Sequence, residues 1–447
     1  MVADPTTSQI RDYGTLILAL TLQAPEWILR RVETLRIVDD ITANVRVSTD
    51  YDLRLTGAGP VYKSFIDNND LPQLLLPLGF LAKEPLHDFS LFDQSGNPVS
   101  FLTQEETSPI SIAAVEYLAA FLLNTQDIPP SISTFIRSVV DLGPEEGEAL
   151  VLQNKLLGAS QDDRRTFSAL IANPEFRYVI TNLARSFIAI AVLPGDAKHF
   201  ERRILKYSYV ITMPWDWSSV RSGKRGLLGR GLMRLALRPS DVKLEVPLVS
   251  TSRSYHADVE APANLELRQA EIGRKHGTED AILQQYKGKF TRAHLHLREG
   301  TFGVTSAYEL RLKVSPQRRG FIRGAAAATV FSTLALLVVL LFIGQIDHTD
   351  SASPIPIITI VPGLLAAYLS RPTEHPLASR LYFGLRCVLA LSALLAWLAA
   401  VATVLNLDGT LLRVVMVCLM GLSLMCSVIA VTAYVRASGK PDSVKAV

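Results

Sequence analysis

The sequence predicts a soluble α+β region, an antiparallel β-sandwich-like body with a helical insertion, followed by an all-α block of four transmembrane helices. Three observations carry that prediction. Charged residues recur every few positions up to about Gly324 and then thin out as far as Val435. Four segments of that apolar stretch approach the roughly 20 residues that a bilayer span requires. Upstream, several segments alternate apolar and polar side chains with the period of a half-buried strand.

Residues 1–105 read as the first strand-rich part. Leu16–Leu22 is apolar but short and lacks a basic flank, so no signal peptide is expected. From Val45 to Leu55 the odd positions are mostly apolar and the even ones polar. Phe89–Phe92 and Val99–Leu102, joined by Asp93-Gln94-Ser95-Gly96-Asn97-Pro98, read as a hairpin with a longer loop. Residues 106–183 form the helical insertion. Thr103-Gln104-Glu105-Glu106 has capping-box spacing ahead of the apolar run Ile110–Leu123. Ser131, after Pro129-Pro130, is the expected cap for Ile132–Val140, and further helices are expected over Glu145–Leu157 and Asp163–Leu183.

Strand-rich sequence returns over residues 184–315, with alternation in Leu205–Tyr209, Leu244–Leu248 and Tyr308–Val314. A basic segment, 215–243, interrupts it. Arg221, Lys224, Arg225, Arg230, Arg234, Arg238 and Lys243 occur with no acid between Asp216 and Asp241. Aliphatic residues are interleaved, and Trp215 and Trp217 lead in. Basic side chains among aliphatics and indoles suit the anionic head groups of an inner leaflet, which makes these nine residues the candidate membrane-surface contact. Nucleic acid is disfavoured as a partner, because aromatic stacking platforms are not interleaved with the charges and the net charge is only +3.

The four spans, within 325–435, are placed at Ala325–Ile346, Pro354–Ser370, Leu381–Leu405 and Leu412–Val435, leaving 436–447 as a tail. Pro362 removes a backbone donor in the second and predicts a kink. Lys313, Arg318, Arg319 and Arg323 precede the first span, Arg371, Arg380 and Arg386 surround the second loop, and Arg436, Lys440 and Lys445 follow the fourth. Asp347–Ser353 and Asn406–Thr410 carry no Lys or Arg. Both termini are therefore expected on the cytoplasmic side of a plasma membrane, with Arg413 the lone exception to the pattern. The span centres hold no carboxylate, His or Lys, which counts against ion-coupled transport. Small residues on the third and fourth spans favour close helix packing and a homo-oligomer or protein partner.

The only cysteines, Cys387, Cys418 and Cys426, lie in the apolar block, so the soluble region is neither a disulfide scaffold nor a thiolate metal site. Gly226–Gly231 reads GxxGxG, the reverse of the dinucleotide fingerprint, and there is no P-loop, GxSxG, HExxH or CxxC. No cofactor and no catalytic residue are assigned. His256, His294 and His296 are remote metal candidates: if the two strands that carry them were neighbours, three ligands could converge, although polar outer sheet faces often look the same.

Three patches resemble a group of uncharacterised multi-pass membrane proteins of high-GC Gram-positive bacteria. They are Asp88–Asp93 through Leu102–Glu106, Ser254–Pro262 and Pro362–Leu377. The resemblance implies a bacterial inner-membrane setting and supplies no activity or functional residue. The expected function is a non-enzymatic, membrane-anchored cytosolic interaction or sensor module. The alternatives are an oligomeric membrane effector or channel gated by its soluble region, and a membrane-bound enzyme without a recognisable local motif.

Overall fold

The computed structural model describes residues 7–39, 41–55, 73–83, 86–153, 160–194, 201–212, 240–246, 248–276, 279–298, 307–317, 320–342, 375–404 and 409–438. The chain opens with helix α1 (Thr7–Leu22) and the single turn α2 (Ala24–Trp27). The start of the expected strand-rich part is thus helical. Tyr13, Leu16, Ile17 and Leu20 recur at helical spacing and are all buried. Gly14 lets α1 close on a second helix, since a Cβ there would meet the Ala113 Cβ at 2.8 Å.

The described strands in the first half are β1 (Ile28–Ile37), β2 (Thr42–Tyr51), β3 (Gln73–Ala82), β4 (His87–Phe92), β5 (Ser100–Phe101), β6 (Ser186–Pro194) and β7 (Arg203–Thr212). Those that follow are β8 (Ser240–Glu245), β9 (Ser254–Glu260), β10 (Leu265–His276), β11 (Glu279–Phe290), β12 (Arg292–Arg298) and β13 (Ala307–Pro316). They form three sheets, ordered β12-β9-β1-β2-β7-β4, β11-β10-β13-β8 and β3-β6-β5. The antiparallel expectation fails at one place, because β1 and β9 pair in parallel. The whole helical region separates those two strands in sequence, so no tight turn forces them antiparallel.

Other sequence expectations shift for local reasons. The strand expected to reach Leu55 stops at Tyr51, and Leu53–Leu55 is a 3₁₀ turn held by Asp52, whose carboxylate accepts from the Arg54 backbone and guanidinium. The expected hairpin has its turn and a short stretch of pairing, with the Val99 amide donating to the Leu91 carbonyl, but β4 and β5 do not pair with each other. Asp93 accepts from the Ser95 and Asn97 amides, yet β4 joins the six-stranded sheet and β5 the three-stranded one. Pro98, which has no amide hydrogen, makes only one bridge, to Phe92.

Helices α3 (Gln104–Leu123), α4 (Pro130–Asp141), α5 (Pro144–Gln153), α6 (Gln161–Ala172) and α7 (Pro174–Arg185) follow β5. The Thr103–Glu106 capping box is formed in both directions. Ser131 is not the cap of α4. The helix starts one residue earlier, at Pro130, where a missing amide hydrogen leaves nothing unsatisfied, and the Ser131 hydroxyl bonds Asp163 instead. Asn173 caps α7 and divides the helical stretch expected over Asp163–Leu183 into α6 and α7, so that with α5 three helices stand where two or three are expected. Helices α1, α3 and α7 pack on β3 and β6, which are apolar on both faces because they lie between helices and the larger sheets.

Four described helices are long and apolar enough to cross a membrane: α3, α8 (Phe321–Phe342), α9 (Pro376–Val404) and α10 (Gly409–Ser438). The apolarity of α3 serves burial against α1 and β6, and its Glu116 pairs with Arg137. The other three form one bundle and leave large apolar side chains exposed, among them Phe331, Leu341, Trp397, Val414 and Val435. Inside that bundle Thr333 hydrogen-bonds Ser423 and Ser427, both at 2.8 Å. The expected span Pro354–Ser370 lies outside the described residues.

Four residues of sequence separate sheet from bundle. β13 ends at Pro316 and α8 begins at Phe321. A single apolar core runs from the sheets through Phe321, Ala325, Leu381 and Tyr382 to Ala437. Polar contacts fasten the junction: Tyr382 donates to the Asn264 carbonyl, and Arg268 and Lys289 both donate to the Ala437 carbonyl at the C-terminal end of α10.

Candidate functional site

Among the described residues, the mostly apolar inner face of the six-stranded sheet carries charge on β1. On β1, Arg31 and Glu33 occupy the phase that Leu35 and Ile37 continue, so two charged side chains face the core from neighbouring positions. Arg31 is fully buried. Its Nη1 donates to Thr251 Oγ1 at 2.5 Å and its Nη2 to the Leu78 carbonyl at 2.6 Å. That carbonyl is free because β3 carries a bulge between Pro77 and Gly79 that leaves Leu78 out of the ladder. Gly79, at φ +131°, makes the bulge possible, and a Cβ there would strike Leu248 at 2.4 Å. Glu33 accepts the Tyr255 hydroxyl at 2.6 Å. Burial pushes the Glu33 carboxyl above its ordinary range, while the Tyr255 hydrogen bond and nearby Arg31 hold it partly back.

Glu33 and Tyr255 open onto a cavity of about 1010 Å³ where the six-stranded sheet, the four-stranded sheet, β3 and the helices meet. Leu35, Val45 and Val259 line it from one sheet, Val246 and Leu310 from the side of the other, and Phe80 from β3. Four tyrosines, Tyr178, Tyr209, Tyr255 and Tyr308, contribute to the wall. Burial raises the Tyr178, Tyr209 and Tyr255 hydroxyls above the usual phenol range, so they stay protonated and can donate.

The charged groups of the lining are mostly neutralised. Glu148 pairs with Arg185, Glu309 with Arg311 at 2.7 Å, and Asp258 with His294 at 2.6 Å. Arg274 on β10 differs. Its Nε is buried without a hydrogen-bond partner, and it forms no ion pair among the described residues. An apolar cavity with a few convergent polar groups and a perturbed carboxyl has the general form of a small-molecule site.

The histidines reach the opposite face of the same sheet. β9 and β12 are neighbours, with His296 opposite His256 and His294 opposite Asp258. A hydrogen-bonded row results: Asp258 to His294, His294 to His256 at 3.1 Å, and Ser254 between His256 and His296. His256 spends Nδ1 on one neighbour and Nε2 on the other, so the three imidazoles do not converge on one point. No group of three His, Cys, Asp or Glu is arranged to hold a metal among the described residues. Burial, then His296, Arg30 and His294, lowers the His256 pKa to about 4.

Of the basic segment, Trp215, Trp217, Arg221, Lys224, Arg225, Arg230, Arg234 and Arg238 lie outside the described residues. Lys243 is an exposed position of β8, opposite Arg311 of β13. The cavity groups were not found by sequence reasoning. The one signal was a pair of charges in the apolar phase of a strand, Arg31 and Glu33, and their partners stand far away in the chain. No protein-family model matches this chain, and no curated protein matches it.

Proposed function

We propose that this protein is a membrane-anchored sensor whose soluble region binds a small molecule between its sheets and passes the occupancy to its helices. The cavity of about 1010 Å³, with Glu33, Tyr255 and Arg274 converging on an apolar wall, is the observation that carries the reading. The direct seating of β10 and β13 on the ends of α9 and α10 supports the second half of it. The exposed apolar belts of α8, α9 and α10 fit lipid rather than water. The distribution of Lys and Arg supports an inner-membrane placement with both termini cytoplasmic. The basic segment 215–243 then faces the inner leaflet, where each Lys or Arg contributes about 1 kcal/mol near an anionic surface.

The test uses the full chain in nanodiscs, challenged with small-molecule and lipid fractions while its melting temperature is followed. A fraction that stabilises the native chain, but not an Ala257→Phe variant in which the cavity wall is thickened, supports the reading. Stabilisation only by compounds indifferent to Ala257→Phe removes the cavity as the site. Turnover of a bound compound, lost on Glu33→Gln, replaces the sensor with an enzyme.

A further inference from the structure

The cavity's charge balance identifies the class of its ligand. This inference rests on the sensor reading. The ionisable groups that face the cavity from the inner sheet surfaces are Glu33 and Arg274, with Arg31 directly behind Glu33. Arg31 lies two residues from Glu33 on β1 and donates from both Nη atoms to protein acceptors, although its Nε, like that of Arg274, is buried without a partner. Arg274 has no such acceptor among the described residues. A guanidinium with a buried, unbonded Nε is costly unless something supplies an acceptor. The acidic lining residues cannot supply it, because Glu148, Asp258 and Glu309 are already paired. At the mouth Arg177 adds an exposed positive charge and Glu145 an exposed negative one, so the rim leaves the interior excess uncorrected.

Apolar side chains make up the larger part of the remaining wall, Leu35, Val45, Phe80, Ile211, Val259 and Leu310 among them, with the tyrosines, Thr181, Asn182 and Ser186 as its uncharged polar groups. At about 1010 Å³ the space stands at the upper end of small-molecule pockets, which run from roughly 300 to 1,000 Å³. A small polar anion would satisfy Arg274 and leave most of that apolar wall against water. A plain hydrocarbon would cover the wall and leave Arg274 bare. We infer that the cavity binds a single-chain anionic amphiphile, its acidic head on Arg274 and its apolar chain along the sheet wall. A carboxylate and a phosphate monoester both match a guanidinium in two-point geometry, so a free fatty acid and a lysophospholipid carry the same recognition chemistry.

The experiment measures saturable binding of radiolabelled probes to the full chain in phosphatidylcholine nanodiscs, with empty nanodiscs subtracted. The probes are myristate, 1-myristoyl-lysophosphatidate, myristyl alcohol and myristyltrimethylammonium. At least one anionic probe is expected to bind one per chain and about tenfold or more tighter than the alcohol. Arg274→Gln should remove that advantage and leave the alcohol unchanged, whereas Arg274→Lys should keep most of it. Ala257→Phe should abolish saturable binding of every probe, with the melting temperature of each variant checking that it folds. The better of the two anionic probes tells a free acid from a lipid head group. Binding that is equal for the alcohol or stronger for the ammonium, yet still blocked by Ala257→Phe, overturns the anionic class while the sensor reading stands. Anion binding unchanged by Arg274→Gln overturns the inference as well. If Ala257→Phe leaves all binding intact, the cavity is not the site, and both fail.

Discussion

Removing the Arg31 guanidinium tests whether the charged pair under the cavity is a single energetic unit. Arg31→Met keeps an unbranched side chain of comparable reach and deletes two hydrogen bonds, of 2.5 Å to Thr251 and 2.6 Å to Leu78. Thr251 keeps a partner, since its hydroxyl also donates to the Leu248 carbonyl at 2.7 Å. The Leu78 carbonyl does not, and a buried unsatisfied acceptor costs about 1–3 kcal/mol. Glu33 loses its compensating charge as well. Arg31 and Glu33 interact through their charges but form no ion pair among the described residues, so the roughly 3–5 kcal/mol of a buried pair broken from one side is an upper figure, and the stranded carbonyl lies within it. At roughly 2–4 °C per kcal/mol, the melting temperature of the full chain in detergent should fall by up to roughly 6–20 °C. Arg31→Met combined with Glu33→Leu should recover much of the loss, leaving mainly the Leu78 term. The Glu33 carboxyl is raised in the folded state, so its stabilising contribution is complete below its unfolded pKa and is lost as pH rises through its folded one. Arg31→Met removes a group that lowers that pKa, so this loss should move to higher pH in the single variant. A single variant within about 1 kcal/mol of the parent, or a double variant no better than the single, refutes the reasoning.

The His256 row should make the fold acid-sensitive. With its folded pKa lowered to about 4, His256 stays neutral where the unfolded chain takes a proton, so its contribution is lost as pH falls from about 6.5 toward 4. His256→Gln should flatten that limb of a melting-temperature profile by an amount on the order of 1–2 kcal/mol, after discounting the full shift for solvent; an unchanged limb assigns the acid sensitivity to other groups. Cysteine introduced at Ser351 should react with an impermeant maleimide from outside the cell and cysteine at Thr373 should not, and the reverse pattern would refute the charge-based orientation. In nanodiscs with brominated anionic lipid, part of the tryptophan quenching should disappear between about 0.1 and 1 M salt and belong to Trp215 and Trp217. If Phe at both positions leaves the salt-sensitive part in place, the basic segment does not touch the leaflet.

What the sequence made legible was local. The apolar helices stand out because their exposed and bundle-facing positions are both apolar, and the capping box of α3 is written in four consecutive residues. Strands such as β9 and β12 alternate because one face is buried and the other wet. Strand partners were less legible. β4 and β5 carry the sequence of a hairpin, but they belong to two different sheets, across which the Phe89 and Phe101 rings meet at a tilt with centroids 4.3 Å apart. The helix α1 is hard to read although Tyr13, Leu16, Ile17 and Leu20 have its period, because the five apolar residues Leu16–Leu20 in a row fit strand and helix alike. The candidate site was the least legible part. Arg31 meets Thr251 across 220 positions, and Tyr255 meets Glu33 across 222. No spacing rule connects residues that only the parallel β1–β9 pairing brings together.

The cavity and the bundle share a strand, and that gives the sensor reading a mechanical consequence. On β10, Arg274 lines the cavity, while Arg268 donates to the Ala437 carbonyl at 2.9 Å. Six residues of strand separate them, roughly 20 Å at about 3.4 Å each. β10 is laddered on both sides, to β11 and β13, so it moves as part of a sheet rather than as a free segment. β11 adds Lys289, whose ammonium reaches the same carbonyl at 2.6 Å. Two cations therefore sit at the negative end of the α10 dipole, where each charged hydrogen bond contributes about 1.5–3 kcal/mol at most and the dipole about 0.3–1 kcal/mol. Arg268→Gln with Lys289→Gln should release the last turn of α10 from the sheet. If about 3 kcal/mol is lost locally, amide exchange over residues 430–438 should accelerate roughly 100-fold, while exchange in β1 and β2 stays as it was. A ligand that occupies the cavity should slow exchange over 430–438 in the parent and have no effect there in the double variant. Equal protection of that turn in both proteins would mean that α10 is held by its apolar neighbours alone, and occupancy of the cavity would then have no route through β10 to the helices.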